Sequence, residues 1–283
     1  MLELLLPKGR IFAGVETLLA DCGLHLSRPD RVYRPIVSDD RFRAKIMKAQ
    51  NIPALIELGS HDVGITGHDW VQETGADVIE LIDLRFDPVQ IVAAAPEGQD
   101  VDALLAKPGV RIATEYEALT RRWLDARGAD YRLIRSWGAT EVFAPEDADL
   151  IVDNTATGTT LRQNGLEIVD VLLRSTTRVY ANRAAMDDPH KRVVIDELLL
   201  LMKAVLDARQ RVLLEMNIDA ARLAQVIERL PAMKSPTVAR LYNSDDYAVK
   251  VAVPRADVAR LVPELKRLGA TDILETDIRK VIP

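Results

Sequence analysis

One cysteine, Cys22, is all that the 283 residues contain, so the chain can form neither an internal disulfide nor a thiolate metal cluster by itself. A reducing cytoplasm fits that usage. A surplus of positive charge is missing too: 37 Lys and Arg stand against 43 Asp and Glu, a net charge of −6. That balance argues against a chain built to coat nucleic acid and requires any phosphate site to be a local concentration of cations and N–H groups. No uninterrupted apolar run approaches the ~20 residues of a membrane span. The opening Met1-Leu-Glu-Leu-Leu-Leu-Pro-Lys8 is too short, and at Glu3 too acidic, to read as a secretory signal. The expectation is a soluble, cytoplasmic protein with no nucleic-acid or membrane partner. Also missing are a Walker-type Gly-Lys-Ser/Thr loop, a His-Glu-x-x-His helix and a Gly-x-Ser-x-Gly elbow. His25, His61, His68 and His190 are not spaced as a metal cluster, which speaks against a tightly held transition metal.

What is present is a globular composition, 48% hydrophobic and 28% charged, long enough for two or three domains with cores of their own. Leu2 to Leu6 reads as a buried strand, followed by the basic turn Pro7-Lys8-Gly9-Arg10 and a helix from Ile11 to Cys22. Arg41 to Leu58 reads as a helix interrupted near Pro53. Strands are expected at 63–66, 78–84, 89–95, 110–113, 131–135, 150–153, 167–173 and 179–182, with helices opening after Gly67-His-Asp69 and Thr114 and a long one over 189–208. Strands alternating with helices predict parallel sheets covered on both faces. From Gln210 the order becomes β-α-β-β-α-β, which is ferredoxin-like. The fold class expected is α/β: domain I over 1–95, completed by about 180–208; domain II over 96–179; and an α+β module over 209–283.

The most informative stretch is Asp149-Leu-Ile-Val-Asp153-Asn-Thr-Ala-Thr-Gly158-Thr-Thr-Leu161, a buried strand ending in a carboxylate and running into a small-residue loop. A strand-to-helix turn of this kind aims backbone N–H groups and hydroxyls at one point, which suits a phosphate. A carboxylate beside that point suits sugar hydroxyls. Asp153 with Thr155, Ala156, Thr157, Gly158, Thr159, Thr160 and Leu161 therefore points to a phosphorylated sugar; the plainer alternative is a turn with helix-capping threonines. Lys8, Gly9 and Arg10 follow a strand at the place where open α/β sheets bind ligands, and two cations there suit a pyrophosphate or triphosphate unless they form an ordinary solvated turn. In Gly64-Ile-Thr-Gly67-His-Asp69 the glycines allow close approach and Asp69 suits a ribose or base edge, with an N-capped helix start as the alternative. Glu115, Tyr116 and Glu141 complete the candidates, each a cap or surface residue if taken alone.

In this order the pieces resemble ATP phosphoribosyltransferase of the long, histidine-regulated form, over essentially the whole length. The anchors are Leu6-Pro-Lys-Gly-Arg10, Asp62-Val-Gly-Ile-Thr-Gly67, Arg111-Ile-Ala-Thr-Glu-Tyr116, the Asp149 to Leu161 stretch with Asn164-Gly-Leu166, and Ser235-Pro-Thr237 with Gly269-Ala270. The resemblance implies two periplasmic-binding-protein-like domains around a cleft and a ferredoxin-like regulatory module. It implies transfer of the phosphoribosyl group of 5-phosphoribosyl 1-pyrophosphate to N1 of ATP, with Mg2+ and release of pyrophosphate, as the first step of histidine biosynthesis. Asp153, Arg10 and Lys8 would act in catalysis, while Gly9, Gly67, Asp69, Glu115, Tyr116, Glu141 and residues 155–161 would bind substrate. Histidine would inhibit through Thr237, Gly269, Ala270, Thr271 and Asp272, in a homo-oligomer passing from dimer to hexamer. No metal ligands are assigned. Two departures stand out: Asn154 and Thr155 replace a common Leu-Val, and Asn217 stands where some relatives carry an acidic residue. A solute-binding protein and a catalytically silent subunit are the rival readings.

Overall fold

The computed structural model describes residues 1–27, 33–233 and 235–282. It divides into two compact units, Met1–Thr17 with Leu24–Ile195, and Leu18–Gly23 with Asp196–Pro283.

One eight-stranded sheet organises the first unit. Its strands are β1 (Leu2–Pro7), β4 (Phe42–Met47), β5 (Val63–Gly67), β6 (Ile79–Pro96), β7 (Val110–Thr114), β8 (Tyr131–Arg135), β9 (Leu150–Thr155) and β10 (Leu166–Ala181), while β2 (Leu26–Ser27) and β3 (Ile36–Val37) form a separate short ladder. The order across the sheet is β4-β1-β5-β10-β6-β9-β7-β8. Helices α1 (Arg10–Asp21), α2 (Ile52–Glu57), α3 (His68–Thr74), α4 (Val101–Leu105), α5 (Glu117–Asp125), α6 (Thr159–Gln163), α7 (Arg183–Asp187) and α8 (Pro189–Arg209) connect them, with α1 and α8 each contributing residues to both units.

The sheet is mixed, which corrects the expectation of purely parallel sheets. β1 runs parallel to β4 and β5, and β7 runs parallel to β8 and β9, but β10 is antiparallel to both β5 and β6, and β6 is antiparallel to β9. Two lobes with the same topology result: β4-β1-β5 closed by β10, and β8-β7-β9 closed by β6. The strands expected at 78–84 and 89–95 are one strand, β6, and those expected at 167–173 and 179–182 are one strand, β10. What looks like a break between the first pair is a bulged segment in which Arg85 and Asp87 have positive φ (57° and 43°) and the β6/β10 register slips.

The helix expected over 41–58 is also corrected. Phe42, Ala44 and Ile46 are buried while Arg43 is exposed and Lys45 half-buried, so the period is two and the segment is an edge strand paired with β1 from Leu2↔Phe42 to Pro7↔Met47. A 3-10 turn at Ala49–Asn51 leads into the α-helix at Ile52, and Pro53 opens that helix, where its missing N–H costs nothing, rather than interrupting it. Ile52 and Ile56 are fully buried against Gly64, where any side chain would collide with both; each such burial contributes about 1.5–3 kcal/mol. In the other lobe Ile112, Leu150 and Val152 pack with Trp123 and Leu124 of α5.

A matched pair of carboxylates ties the strands of each lobe. Asp62, just before β5, accepts from the Glu3 N–H at 2.9 Å and from Lys191 Nζ at 2.7 Å. Asp149, just before β9, accepts from the Arg111 N–H at 2.9 Å and from its Nε at 3.3 Å.

In the second unit β11 (Arg211–Ile218), β12 (Thr237–Arg240), β13 (Tyr247–Pro254) and β14 (Thr271–Asp277) form an antiparallel sheet of order β12-β13-β11-β14, with α9 (Leu223–Ile227) and α10 (Val258–Arg267) as the two crossovers. That is the ferredoxin-like order. Val212, Leu214, Met216 and Ile218 alternate inward and meet Val249, Val251, Val253, Val226, Leu261 and Leu265. The helix expected over 220–230 is shorter, a 3-10 turn at Ala220–Arg222 running into α9.

Candidate active site

Equivalence of the lobes sorts most candidate residues of the first unit into four turns at the carboxyl ends of β1 and β5 in the first lobe and β7 and β9 in the second; Glu141 lies apart from them, in a 3-10 turn at Thr140–Val142 after β8, and lines none of the cavities described below. Lys8, Gly9, Arg10, Gly67, Asp69, Glu115 and Tyr116 line one cavity of about 420 Å³, together with Lys48, Trp70, Asn154 and the β10 segment Ser175, Thr176 and Thr177. Lys8 Nζ lies 3.0 Å from the Tyr33 hydroxyl, and an Arg10 Nη1 lies 3.5 Å from an Asp87 carboxylate oxygen across a well-exposed contact. Both cations are therefore held near the cavity by single, solvent-accessible partners.

Asp69 and Tyr116 engage each other. The Tyr116 hydroxyl donates to one Asp69 oxygen at 2.9 Å, Ser175 donates to the other at 2.6 Å, and the Asp69 N–H donates back to Ser175 Oγ at 3.0 Å. Gly67 is required here, because a Cβ at that position would run into the Asp69 carboxylate. The Tyr116 ring stacks on Trp70 with centroids 4.5 Å apart, and burial together with the Asp69 charge drives its phenol far above the ordinary range. One turn further along α3, the Glu73 carboxylate accepts from the Ala118 and Leu119 N–H groups at 2.8 and 2.9 Å, capping α5, and an Arg122 guanidinium donates to the Gln72 carbonyl at 2.7 Å. Helices α3 and α5 thus join the two lobes by hydrogen bonds that run from the buried Asp69–Tyr116 pair through the half-buried Glu73 to the exposed Arg122.

The turn after β9 has the opposite character. Asp153 is half-buried within β9, which continues two residues beyond the strand end expected there, to Thr155; Asn154 donates to it from its backbone N–H at 2.6 Å and from its side-chain amide at 3.2 Å, and the same amide reaches the Tyr116 hydroxyl at 3.2 Å. The departure at Asn154 thereby links the Asp153 carboxylate to the tyrosine between the lobes. Burial, reinforced by the charges of Glu115 and Glu141, pushes the Asp153 carboxyl up to about 6 against the bonds from Asn154 and Thr140. Beyond it Gly158, at φ +71°, turns the chain into α6; its N–H donates to Thr155 Oγ1 at 2.9 Å, and the Thr157 and Thr159 hydroxyls lie 2.9 Å apart. Ala156, Thr157, Thr159 and Thr160 are exposed, whereas Leu161 is buried and holds the turn to the core. Arg162 donates to the Thr157 carbonyl at 3.1 Å. Ala156 lines a smaller cavity of about 290 Å³ with Arg174, and the rest of the 155–161 turn lines none of the main cavities.

The chain's matches to known proteins agree over its length. Residues 48–204 match the family model HisG, ATP phosphoribosyltransferase, and residues 208–280 match that of the HisG C-terminal domain. The chain is 41% identical to the ATP phosphoribosyltransferase of Chlorobium luteolum, across 100% of its own length and 98% of the relative's.

The chain belongs to the ATP phosphoribosyltransferase family.

The enzyme of that name from Desulforudis audaxviator is likewise 41% identical, over 100% of this chain and 99% of its own length. A chain of the ATP phosphoribosyl transferase (HisG:HisZ) complex from Thermotoga maritima superposes with a TM-score of 0.64 at 27% identity, over 71% of this chain and 98% of that one. Possession of the C-terminal domain makes this the long form of the family, and its members are pentosyltransferases of histidine biosynthesis.

Within the second unit a cavity of about 460 Å³ is lined by Glu215, Asn217, Thr237, Lys250 and Asp272 among others. Asn217 Nδ2 donates to Asp272 Oδ2 at 2.9 Å, Thr271 Oγ1 lies 3.2 Å from the same atom, and Lys250 pairs with Glu215. Gly269 sits at φ +95° beside Arg222, and the Ala270 side chain is buried in the module's core, so its methyl is not on the cavity wall.

Lys48, Trp70, Ser175, Thr176, Thr177 and Arg162 carry no signal at sequence level. Ser175 to Thr177 lies inside a long strand, and it reaches the cavity only because β10 passes between the lobes. Thr177 Oγ1 is buried without a hydrogen-bond partner on that wall. Among the described residues no group of three or more His, Cys, Asp or Glu side chains is arranged to hold a metal ion, and no helix is long and apolar enough to cross a membrane.

Proposed function

We propose that the chain transfers the phosphoribosyl group of 5-phosphoribosyl 1-pyrophosphate to N1 of ATP. The N1 lone pair attacks the anomeric carbon, the bond to the pyrophosphate oxygen breaks, and pyrophosphate leaves with that electron pair. The nucleophile needs no base, so catalysis is positioning and charge stabilisation. The observation that carries this reading is the exposed hydroxyl and amide turn around Gly158 set directly beside a half-buried carboxylate, in a chain of this family. Thr155, Thr157, Thr159 and Thr160 with the turn's N–H groups take the 5-phosphate, each bond to a charged oxygen contributing roughly 1.5–3 kcal/mol. Asp153 accepts from the ribose hydroxyls and stabilises positive charge at the anomeric carbon. Lys8 and Arg10 meet the pyrophosphate from the other lobe, and Asp69 with Tyr116 holds the lobes at that separation.

The donor set suits Mg2+. Asp153 is disfavoured in its charged form by burial and by the neighbouring Glu115 and Glu141, a situation that a hard divalent cation relieves. Mg2+ is commonly held by one or two carboxylates, with waters and substrate phosphates completing its shell. Asp153 and Glu115 or Glu141 would supply those carboxylates. When bound, the ion would neutralise the charge on the diphosphate.

Histidine, on the same reading, binds the second-unit cavity at Thr237, Thr271 and Asp272 with the backbone at Gly269 and Ala270, and inhibits by favouring one quaternary state of a dimer-to-hexamer equilibrium. Pyrophosphate release that requires ATP, the phosphoribosyl donor and the metal together, with a product mass equal to ATP plus phosphoribosyl, is the expected result. Its absence in a folded preparation refutes the transferase reading. An Asp272→Ala variant is expected to keep turnover and lose histidine inhibition; retained inhibition removes the effector assignment alone.

A further inference from the structure

Asn154 lines the main cavity, yet both protons of its side-chain amide are committed within the protein. Its Nδ2 stands 3.2 Å from Asp153 Oδ1 and 3.2 Å from the Tyr116 hydroxyl oxygen. A primary amide nitrogen carries two protons, and here each has its own acceptor. The Tyr116 hydroxyl gives its own proton to Asp69, which leaves its oxygen to accept from Asn154. An unbroken series of hydrogen bonds therefore runs from Asp153 through Asn154 and Tyr116 to Asp69 and Ser175, from the turn after β9 to the fastening between the lobes. Successive side chains of a strand point to opposite faces, so Asp153 and Asn154 would not ordinarily meet. Here the carboxylate bends back along the chain, and its Oδ1 accepts from the Asn154 backbone N–H at 2.6 Å as well as from the amide. Asn154 is itself held in place, because it pairs across the sheet with the fully buried Ile91. A leucine at this position would fill similar space and offer neither proton.

We infer that Asn154 is a positioning residue that ties the orientation of the Asp153 carboxylate to the fastening between the lobes, acting through Tyr116. The inference rests on the transferase reading above and adds to it the side chain by which contact between the lobes reaches the reacting end of the donor. While Asp69 holds the Tyr116 hydroxyl, the amide has one fixed acceptor and presents its other proton to Oδ1, so the carboxylate is aimed in one direction. Once Tyr116 leaves Asp69, the amide turns with it and the carboxylate loses a donor. Asn154 acts without touching substrate. It fixes where the charge that stabilises the anomeric carbon stands, and a displacement of about 1 Å at a reacting centre costs on the order of 100-fold in rate.

The test uses full-length Asn154→Leu, Tyr116→Phe and the double variant, with each substrate varied in turn. Leucine is expected to lower kcat about 10-fold while both KM values stay within about 2-fold, the split produced by a residue that orients without binding. Added to Tyr116→Phe, it should cost less than about 2-fold more, because the amide has already lost its fixed acceptor. Effects that multiply overturn the inference, as does an unchanged kcat or a rise in one KM alone, which would make Asn154 a substrate contact. Tryptophan emission supplies a readout that needs no turnover. Trp70 stacks on Tyr116 with centroids 4.5 Å apart, so ribose 5-phosphate alone should change wild-type emission by way of Asp153, Asn154 and Tyr116, and should leave a Trp70→Phe control unchanged. By calorimetry Asn154→Leu should bind ribose 5-phosphate within about 2-fold of wild type, yet show no emission change. The same emission change in both proteins, or none in the wild type, overturns the inference. Were the wild type to release no pyrophosphate at all, the transferase reading would fall, and the emission titration would still decide whether Asn154 couples Asp153 to Tyr116.

Discussion

The two lobes of the first unit repeat one strand order, yet the turn after the third parallel strand is used in opposite ways. In the first lobe the turn after β5 places Asp69 in the interior, both carboxylate oxygens occupied by Ser175 and Tyr116. The equivalent turn after β9 leaves Thr157, Thr159 and Thr160 in solvent around Gly158. Even the preceding aspartates, Asp62 and Asp149, match in role, both tying the new strand to its parallel neighbour. One topology therefore supplies two geometrically similar positions; one has become a fastening between lobes and the other an open turn of exposed hydroxyls. Position at a strand's carboxyl end says where a ligand is able to bind, and only the partners of each side chain say whether it does.

Substitutions at equivalent positions sharpen that contrast. The largest effect is expected from Gly158→Val, since a branched residue is strained at φ +71° and its Cβ would stand 3.0 Å from Arg162 Nη1. Losing two bonds to a charged phosphate predicts a donor KM raised on the order of 100-fold with a folded protein; unchanged donor affinity would mean that the turn does not bind phosphate. Gly67→Ala in the other lobe should do the reverse, lowering the unfolding free energy through collision with Asp69 by about 1–3 kcal/mol while disturbing both substrates alike.

Next comes the pair of aspartates. Tyr116→Phe leaves a buried Asp69 oxygen without its donor and is expected to cost about 1–3 kcal/mol in denaturant unfolding. Asp153→Asn removes a charge that burial disfavours, so at neutral pH it should stabilise by about 1–2 kcal/mol while turnover collapses. Two variants that shift stability in the same direction would end the comparison.

The pH dependence follows from the same group. The folded carboxyl of Asp153, at about 6, lies above its ordinary 3.8, so the native state holds this proton more firmly than the unfolded chain does. Its contribution is therefore most favourable at low pH and declines as pH rises through about 6, whereas the proposed role of Asp153 requires the ionised form. An acidic limb near pH 6 in kcat/KM for the donor, moving lower as metal is added, is the expected profile; a limb near 4 at all metal concentrations contradicts the desolvation argument.

Smallest is the effect of Arg10→Ala on stability. Its pair with Asp87 is exposed at 3.5 Å, so unfolding should shift by less than about 1 kcal/mol, while substrate affinity falls several-fold; wild-type kinetics would leave Arg10 a surface cation.

Much of this arrangement was legible beforehand where the signal is local. The ferredoxin-like order, the long helix α8, the strands at Tyr131–Arg135 and Leu150–Thr155, and the small-residue turn after Asp153 all depend on a few neighbouring residues, and burial periodicity or turn chemistry reports them. Phe42–Met47 was misread because its alternation is short and flanked by a true helix; pairing with β1, some 40 residues earlier in the chain, made it a strand. Ser175, Lys48 and Trp70 left no trace, since nothing within several residues of them differs from an ordinary strand or helix.

Sequence alone determined the parts: a carboxylate beside a small-residue turn, a glycine where the chain must turn left-handed, cations after β1, and a βαββαβ tail. Whether Asp69 would fasten the lobes or face a ligand, and whether Asn154 would bridge Asp153 and Tyr116, was decided by tertiary structure. The reason is that these outcomes depend on contacts between residues up to 106 apart, such as Ser175 with Asp69, and such contacts come into being only when β6 and β10 cross from one lobe to the other.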